Sequence, residues 1–269
     1  MDRDRQYLQD VQWLLGEIPV EHFTYAVNIS LKNKFTYVET AKVACSTIKL
    51  SLMALEIEID DPKIVGGQNL GEMHDRAFSP LLTPRQVGSF TRLLERKDFI
   101  KFCFARNPYT RALSAYMDKI LRNEMQKKPI ADMLGRPLET PVTFEEFLGC
   151  IARQPVREMD GHWVPQYDQT LRGKIAYDFI GSFEHIDADL IEIGTRISPL
   201  FPRYAQSETR HRTGAADFVA QYYTEEATQL VRRIYADDFR YFGYSPALAD
   251  AARPATQRAG HLPEGAKPC

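Results

Sequence analysis

Residues 99–116 read FIKFCFARNPYTRALSAY. The first seven are largely apolar and β-prone, which is typical of an inner parallel strand that is covered on both faces. Pro108 follows where proline favours the first turn of a helix, and the helical pattern continues to about Asn123. A buried strand therefore leads directly into a helix through Arg106, and a basic residue at a helix start favours the binding of an anion.

A second strand-loop-helix unit precedes this one. Residues 35–38 read FTYV and are β-rich, residues 41–49 read AKVACSTIK, and residues 46–56 have the apolar spacing of a helix. The first amides of a helix lack intrahelical partners and carry the positive end of the helix dipole, so a loop that delivers Lys and Ser or Thr there suits phosphate-like oxygens. Two such turns in one chain predict a ligand with two separate anionic groups.

Strands and helices alternate along most of the chain. Residues 176–182 form another apolar strand, and further helical patterns cover about residues 5–17, 83–96, 143–153, 187–198 and 224–242. This alternation predicts an α/β fold with a mainly parallel sheet flanked by helices, in which ligands bind beyond the carboxyl ends of the strands. We predict a single domain over residues 1–244 and a disordered tail over residues 245–269, which are rich in Ala, Pro and Gly.

Composition limits the classes of protein to consider. Hydrophobic residues make up 44% and charged residues 26% of the chain, as in ordinary globular proteins. A formal net charge of -2 argues against binding nucleic acid through bulk charge. No run approaches the eighteen or so apolar residues of a membrane span, the first residues lack the order of a signal peptide, and the cysteines form no CxxC pair. We therefore expect no transmembrane segment, no nucleic-acid partner and a cytoplasmic location.

The first of the two turns resembles a loop of the carbohydrate sulfotransferase family, whose Golgi members sulfate chondroitin, dermatan and the HNK-1 glycan. Those enzymes use 3'-phosphoadenosine 5'-phosphosulfate (PAPS) and hold its 5'-phosphosulfate with a Pro-Lys-Val-Gly/Ala-Cys-Thr-Asn-Trp-Lys loop. This chain matches the loop at five positions and differs at four. The matches are Lys42, Val43, Ala44, Cys45 and Lys49, and the differences are Ala41, Ser46, Thr47 and Ile48.

The second turn is similar to the family's 3'-phosphate motif, Arg-Asp-Pro-Phe-x-Arg-Leu-x-Ser-Ala-Tyr. The matching residues are Arg106, Pro108, Arg111, Leu113, Ser114, Ala115 and Tyr116, while Asn107 and Tyr109 replace Asp and Phe. Residues 162–166 and 177–184 also look like the family's central region, so the resemblance runs from about residue 35 to about residue 245. Residues 167–175 lack the cysteines of the Golgi members, which indicates a bacterial-type member.

The resemblance implies a P-loop nucleotide-binding-like fold and a PAPS-dependent O-sulfotransferase that acts on a carbohydrate or glycoconjugate hydroxyl without a metal in the protein. Lys42 would neutralise the charge that builds on the leaving oxygen. Arg106 and Ser114 would hold the 3'-phosphate, whereas Arg111 would brace the loop. The residues expected to cradle the 5'-phosphate are Lys42, Val43, Ala44, Cys45, Ser46 and Thr47.

The general base stays open at this point, because histidine suits the task and the chain has six. His74 falls where related sulfotransferases place an acceptor-side base, and His162 is the alternative. Glu72 and Asp75 are less favoured candidates.

The sequence leaves two interpretations open for a basic loop and for a pair of aromatic residues. The basic loop 210–214 either closes over the 3'-phosphate or an acidic acceptor, or is simply solvated. Trp163, with Tyr167, either stacks on a sugar or serves as a buried anchor, and the buried anchor is favoured.

Other classes of protein fit the sequence less well. An ATP- or GTP-dependent P-loop enzyme would need Gly-x-x-x-x-Gly-Lys-Ser/Thr, and the near match at residues 66–71 is followed by Glu72 and preceded by no clear strand. A metal hydrolase is disfavoured because no two histidines have ligand spacing. A non-catalytic protein of the same fold would be indicated by the loss of Lys42 or Arg106, and the chain contains both.

Overall fold

Four strands form one sheet in the order β1-β2-β3-β4, with β1 at Val27–Ser30, β2 at Phe35–Val38, β3 at Ile100–Ala105 and β4 at Phe179–Ser182. The computed structural model describes residues 3–16, 18–61, 65, 75–122, 125–206 and 213–255. Strands β2, β3 and β4 run parallel, and β1 pairs antiparallel with β2. The predicted α/β fold with a mainly parallel sheet is therefore confirmed, and the expected strands of residues 35–38, 99–105 and 176–182 are three of the four.

The helices lie along the chain in the following order. They are α1 Arg3–Leu15, α2 Val20–Ala26, α3 Cys45–Ile57, α4 Phe90–Glu95, α5 Pro108–Ala115, α6 Lys128–Met133, α7 Phe144–Ile151, α8 Gln166–Gln169, α9 Ile186–Ile197, α10 Phe201–Tyr204, α11 Val219–Tyr222, α12 Glu225–Ile234 and α13 Ala236–Phe242. None of the helices in the described ranges is long and apolar enough to cross a membrane.

The alternation of side chains along β3 explains why both faces of the sheet are covered. Phe102 and Phe104 point into a core shared with α3 and α9, while Cys103 and Ala105 point into a second core shared with α5, α7 and α12. Full burial of a phenylalanine stabilises the fold by about 1.5–3 kcal/mol. Gly181 of β4 provides the space for Phe104, since a Cβ there would stand 2.2 Å from its ring.

Three predicted helices differ from the structure. The helix expected over residues 83–96 is a short 3-10 turn, Pro84–Gln86, followed by α4, because the carboxylate of Asp10 in α1 accepts hydrogen bonds from the amides of Phe90 and Thr91 and so fixes a new helix start. The helix expected over residues 224–242 is interrupted at Tyr235, between α12 and α13. The helix after Pro108 leaves the α-helical form at Tyr116 for a π-helical turn.

The segment after residue 244 packs against the domain in its first part. The Pro246 carbonyl accepts a hydrogen bond from the Tyr109 hydroxyl at 2.6 Å, and the Asp250 carbonyl accepts one from Asn107 Nδ2 at 3.3 Å. Asn107 and Tyr109 are the two positions at which the second turn departs from the family pattern. These side chains tie residues 246–250 to the start of α5, and the remainder of the predicted tail, residues 256–269, lies outside the described residues.

Candidate functional site

The two predicted anion-binding turns meet at the carboxyl edge of the parallel strands. Residues 39–44 connect β2 to α3, and Arg106 and Asn107 connect β3 to α5. The Arg106 guanidinium donates from Nη1 to the Lys42 carbonyl at 3.0 Å, so one turn directly contacts the other across 64 residues of sequence. The chain therefore brings together the two segments that the sequence analysis assigned to one ligand.

Backbone conformation in the first turn is unusual. Lys42 and Ala44 have φ of 68° and 52°, in the left-handed region that L-residues avoid. Such residues persist where the surrounding structure over-determines them, and they cluster at ligand-binding and catalytic positions. Ala44 is the N-cap of α3 and makes no side-chain capping bond to the first turn of that helix. The sharp turn thus directs the N-terminus of α3, with Cys45, Ser46 and Thr47, toward the sheet edge.

Arg111 supports this turn through hydrogen bonds to backbone carbonyls. Its buried guanidinium donates to three carbonyls: Ala41 at 3.1 Å, Val164 at 2.9 Å and Gly161 at 3.4 Å. Burial lowers the pKa of Arg111, and the nearby Asp238 carboxylate opposes that effect. The carbonyls of Ala41, which precedes Lys42, and Gly161, which precedes His162, therefore accept hydrogen bonds from the same guanidinium.

Arg111→Leu should lower the free energy of unfolding by about 3 kcal/mol, because one buried and two part-buried carbonyls would lose a charged donor and each unsatisfied buried group costs roughly 1–3 kcal/mol. Urea unfolding at neutral pH measures this change. Arg92→Leu is the control, since Arg92 is an exposed residue of α4, and its substitution should change the value by less than about 0.5 kcal/mol. An unchanged midpoint in Arg111→Leu would contradict the bracing role.

Arg106 is a buried cation that forms no ion pair within the described residues. Its residue exposure is 6%, and within the described ranges no Asp or Glu oxygen lies within ion-pair distance of its guanidinium. The nitrogens contact Thr110 Oγ1 at 3.1 Å and the Lys42 carbonyl, and the Phe183 ring centroid lies 4.0 Å from Cζ. Burial lowers the pKa of Arg106 to about 10, and the Glu184 carboxylate partly opposes that effect. A phosphate dianion at this position would add a directly hydrogen-bonded counter-charge.

Ser114 lies two turns along α5 and contacts a different segment from Arg106. Its residue is 2% exposed, and its Oγ accepts a hydrogen bond from Thr213 Oγ1 at 3.0 Å. Thr213 belongs to the basic loop predicted at 210–214. Residues 207–212, which include the first three residues of that loop, lie outside the described residues. The structure thus connects the end of that loop to the second turn.

Lys42 directs its ammonium toward Asp118, which the sequence analysis did not single out. The Nζ-to-Oδ2 distance is 2.9 Å, and the two side chains are 11% and 19% exposed. Burial lowers the pKa of Lys42, and the hydrogen bond and charge of Asp118 act against that effect. A pairing between residues 76 positions apart leaves no signal in local sequence, because only the packing of α5 beside the first turn creates it.

His162 forms a pair with a carboxylate that sequence reasoning also missed. Its Nδ1 lies 2.5 Å from Asp160 Oδ1, and Asp160 also accepts the His162 backbone amide at 2.9 Å. Burial acts to raise the pKa of Asp160, but the hydrogen bond and charge of His162 outweigh it and hold that pKa below its ordinary value. An Nδ1–H donated to Asp160 leaves Nε2 as the acceptor atom. The Asp-x-His spacing of Asp160 and His162 is the feature of the sequence that could have identified this pair.

The other candidates occupy buried, exposed and undescribed positions. Trp163 is 1% exposed and donates to Gln154 Oε1 at 3.1 Å, and the half-buried Tyr167 stacks on Tyr241, so both rings pack against neighbouring side chains. Asp75 caps a short 3-10 turn by accepting the Ala77 amide at 2.9 Å. His74 and Glu72 lie outside the described residues. Within the described ranges, no group of three or more His, Cys, Asp and Glu side chains could hold a metal ion.

Comparison with known proteins gives one family and several relatives. The profile of a family described as "Sulfotransferase family" matches residues 25–245. "Carbohydrate sulfotransferase 14" of Danio rerio is 26% identical over 247 residues, which cover 86% of this chain and 65% of that protein. The Homo sapiens protein of the same name is 26% identical over 80% of this chain and 59% of its own length. "Carbohydrate sulfotransferase 11" of Rattus norvegicus is 26% identical over 79% and 65%.

The matched region spans about three-fifths of the length of these relatives, from 59% to 65%. No solved structure gives a significant match to the chain.

Proposed function

Because this chain belongs to the sulfotransferase family, we propose that it transfers a sulfuryl group from PAPS to a hydroxyl of a carbohydrate or glycoconjugate. The observation that carries this proposal is the contact between the two turns, in which Arg106 donates to the Lys42 carbonyl at 3.0 Å. That contact supports the proposal because it brings together the two turns that are predicted to bind anions. The carbohydrate class of acceptor is supported by the names of the similar proteins.

The donor set fits a nucleotide with phosphate at both the 5' and 3' positions. The turn at Lys42–Ala44 and the N-terminus of α3 would hold the 5'-phosphosulfate, since helix N-termini favour anions. Arg106, a buried cation without an ion pair in the described part of the chain, would hold the 3'-phosphate together with Ser114 and its hydrogen-bond partner Thr213. When bound, PAPS would supply the sulfuryl group that passes to the acceptor oxygen, leaving adenosine 3',5'-bisphosphate.

The side chains of this site have two tasks in the transfer. Lys42 would stabilise the negative charge that develops on the leaving phosphate oxygen, in the way that positioned cations stabilise phosphoryl transfer. His162 would accept the proton of the acceptor hydroxyl at Nε2 while Asp160 holds Nδ1–H and stabilises the imidazolium. We propose His162 as the base because its imidazole is oriented by Asp160 and its neighbour Gly161 is tied to the first turn through Arg111. His74 remains the alternative.

Thermal unfolding with nucleotides tests the donor site. Adenosine 3',5'-bisphosphate should raise the midpoint by several degrees, whereas ADP and ATP should not, because a ligand that binds the native state stabilises it by RT ln(1 + [L]/Kd). Transfer of radiolabelled sulfate from PAPS to a panel of glycans then tests the reaction. A response to ATP alone, or to no nucleotide, would overturn the proposal.

Arg106→Ala should weaken the binding of adenosine 3',5'-bisphosphate about 12- to 150-fold, because a charge-assisted hydrogen bond contributes about 1.5–3 kcal/mol. Isothermal titration calorimetry measures the affinity. The affinity of Arg106→Lys should lie between those of the wild type and Arg106→Ala, since lysine keeps a charge without the planar fork. The exposed Arg157 provides the control variant, Arg157→Ala.

The same titration has a predicted pH dependence. Arg106 with a lowered pKa of about 10 is a cation below that pH and neutral above it. The affinity for the bisphosphate should therefore be at its maximum at neutral pH, where Arg106 is charged, and should fall as the pH rises through 10. Equal affinity of wild type and Arg106→Ala would contradict the assignment of the 3'-phosphate to this residue.

A further inference from the structure

The contact between Lys42 and Asp118 depends on an irregular turn at the end of α5. Residues Tyr116–Ile120 are π-helical, and the Leu121 amide donates to the Tyr116 carbonyl at 3.1 Å, an i-to-i+5 bond. A π turn accommodates one extra residue and thereby rotates the side chains that follow relative to a regular α-helix. Asp118 lies in the middle of this turn, and single π turns within α-helices are frequent at functional sites.

We propose that Asp118 is a positioning residue for the sulfuryl transfer, which keeps Lys42 protonated and aims its ammonium group across the first turn. This inference rests on the proposed function for the role of Lys42. The contact itself is a hydrogen-bonded ion pair of 2.9 Å between two side chains that are each less than one-fifth exposed, at 11% and 19%. Such a pair is little screened by solvent, unlike an exposed one.

The charges around Lys42 show why a carboxylate is needed there. Burial lowers the pKa of the Lys42 ammonium, and the cations Lys119 and Arg106 act in the same direction. Cys45, the first residue of α3, is a further titratable neighbour, and burial raises the pKa of its thiol so that it stays neutral. Asp118 opposes these effects through its hydrogen bond and its charge. Without it, a buried ammonium between two cations would lose its proton more readily.

Asp118 is poorly suited to act as the base itself. Its carboxylate lies close to three cations: Lys42, Lys119 at 3.3 Å and Arg122 at 3.4 Å. Burial acts to raise the pKa of Asp118, but the hydrogen bond and charge of Lys42, aided by Lys119, hold it below the ordinary value. A carboxylate of low pKa accepts a proton weakly at neutral pH, so its effect on the reaction is exerted through Lys42.

Trace acetylation of lysines as a function of pH tests this role without any ligand. Peptide mass spectrometry follows the acetylation rate of Lys42 in wild type and in Asp118→Asn, which keeps the shape but removes the charge. At a fixed mildly alkaline pH, Lys42 should be acetylated about tenfold faster or more in the variant, because an opposite charge at this distance shifts a pKa by about one unit or more. Asp118→Glu should reverse part of the change.

The matched control is Asp132→Asn, which removes the partner of the exposed Lys128 at 3.0 Å and should leave the labelling of Lys42 unchanged. Circular dichroism confirms that each variant is folded. If Lys42 labels identically in wild type and Asp118→Asn, the inference is wrong, whatever the enzyme's activity. If wild type binds no bisphosphate but the labelling differs as expected, the proposed function fails while the charge role of Asp118 stands.

Activity measurements separate positioning from a merely structural effect. Asp118→Asn should lower kcat with little change in the acceptor KM, and the alkaline limb of its kcat–pH profile should move to lower pH. A variant with a reduced kcat and an unshifted alkaline limb would contradict control of the Lys42 proton by Asp118.

Discussion

Replacing Lys42 by alanine should lower kcat about 100- to 1,000-fold, the effect usually seen when one preorganised group that stabilises transition-state charge is removed. The ammonium lies at the turn that would hold the 5'-phosphosulfate, and the charge that it would neutralise develops only as the sulfur-oxygen bond breaks. An interaction made mainly in the transition state changes kcat more than substrate binding. The affinity for adenosine 3',5'-bisphosphate should therefore fall much less than kcat does.

Single-turnover transfer of radiolabelled sulfate measures this effect most directly. Lys42→Ala introduces no new backbone problem, because lysine and alanine meet the same strain at a φ of 68°. Lys128→Ala is the control, since Lys128 is exposed and pairs only within its own helix turn with Asp132 in the described structure. A Lys42→Ala enzyme that keeps its rate within about tenfold of wild type would remove Lys42 from the chemical step.

Replacing His162 by glutamine should lower kcat by a factor of about 100 to 10,000, the range typical of general acid-base catalysis. Glutamine keeps a hydrogen-bonding group at this position but cannot take up the proton of the acceptor hydroxyl. Asp160→Asn should also reduce the rate, since an amide would no longer hold Nδ1–H and stabilise the imidazolium. Bisphosphate binding should stay intact in both variants.

His74→Gln and His185→Gln, measured in parallel, make this prediction decisive. His185 directly precedes α9 and has no assigned role in the transfer. A large fall of kcat in His74→Gln together with a normal kcat in His162→Gln would assign the base to His74 instead. A comparable fall in His185→Gln would contradict both assignments.

The second turn, its strand and the start of α7 were predictable because their signals are local. The β-prone run of β3, the proline at the first position of α5 and the capping box at Thr143 and Glu146 each act within a few residues, and the structure contains all three. The capping box is reciprocal, with the Glu146 amide 3.2 Å from Thr143 Oγ1 and the Thr143 amide 2.9 Å from Glu146 Oε2.

The antiparallel edge of the sheet was not predicted. Strand β1 is four residues long, Val27–Ser30, and follows α2 without a break, so neither element is long enough to show a clear period. Its place is fixed by pairing with β2, from Val27 opposite Val38 to Ser30 opposite Phe35. The π turn after Ala115 was not predicted either.

The sequence by itself determined which segments are predicted to form the site, since the turns at Lys42 and Arg106 each combine a strand exit, a helix start and charged residues within about ten positions of chain. Only the tertiary structure decided which side chains face one another. Asp118 reaches Lys42 across 76 residues, and Arg111 joins Ala41 to Gly161 across 70 and 50 residues. The physical reason is that strand and helix signals act over neighbouring residues, whereas the ion pairs and buried donors that tune a site form only when distant elements pack together.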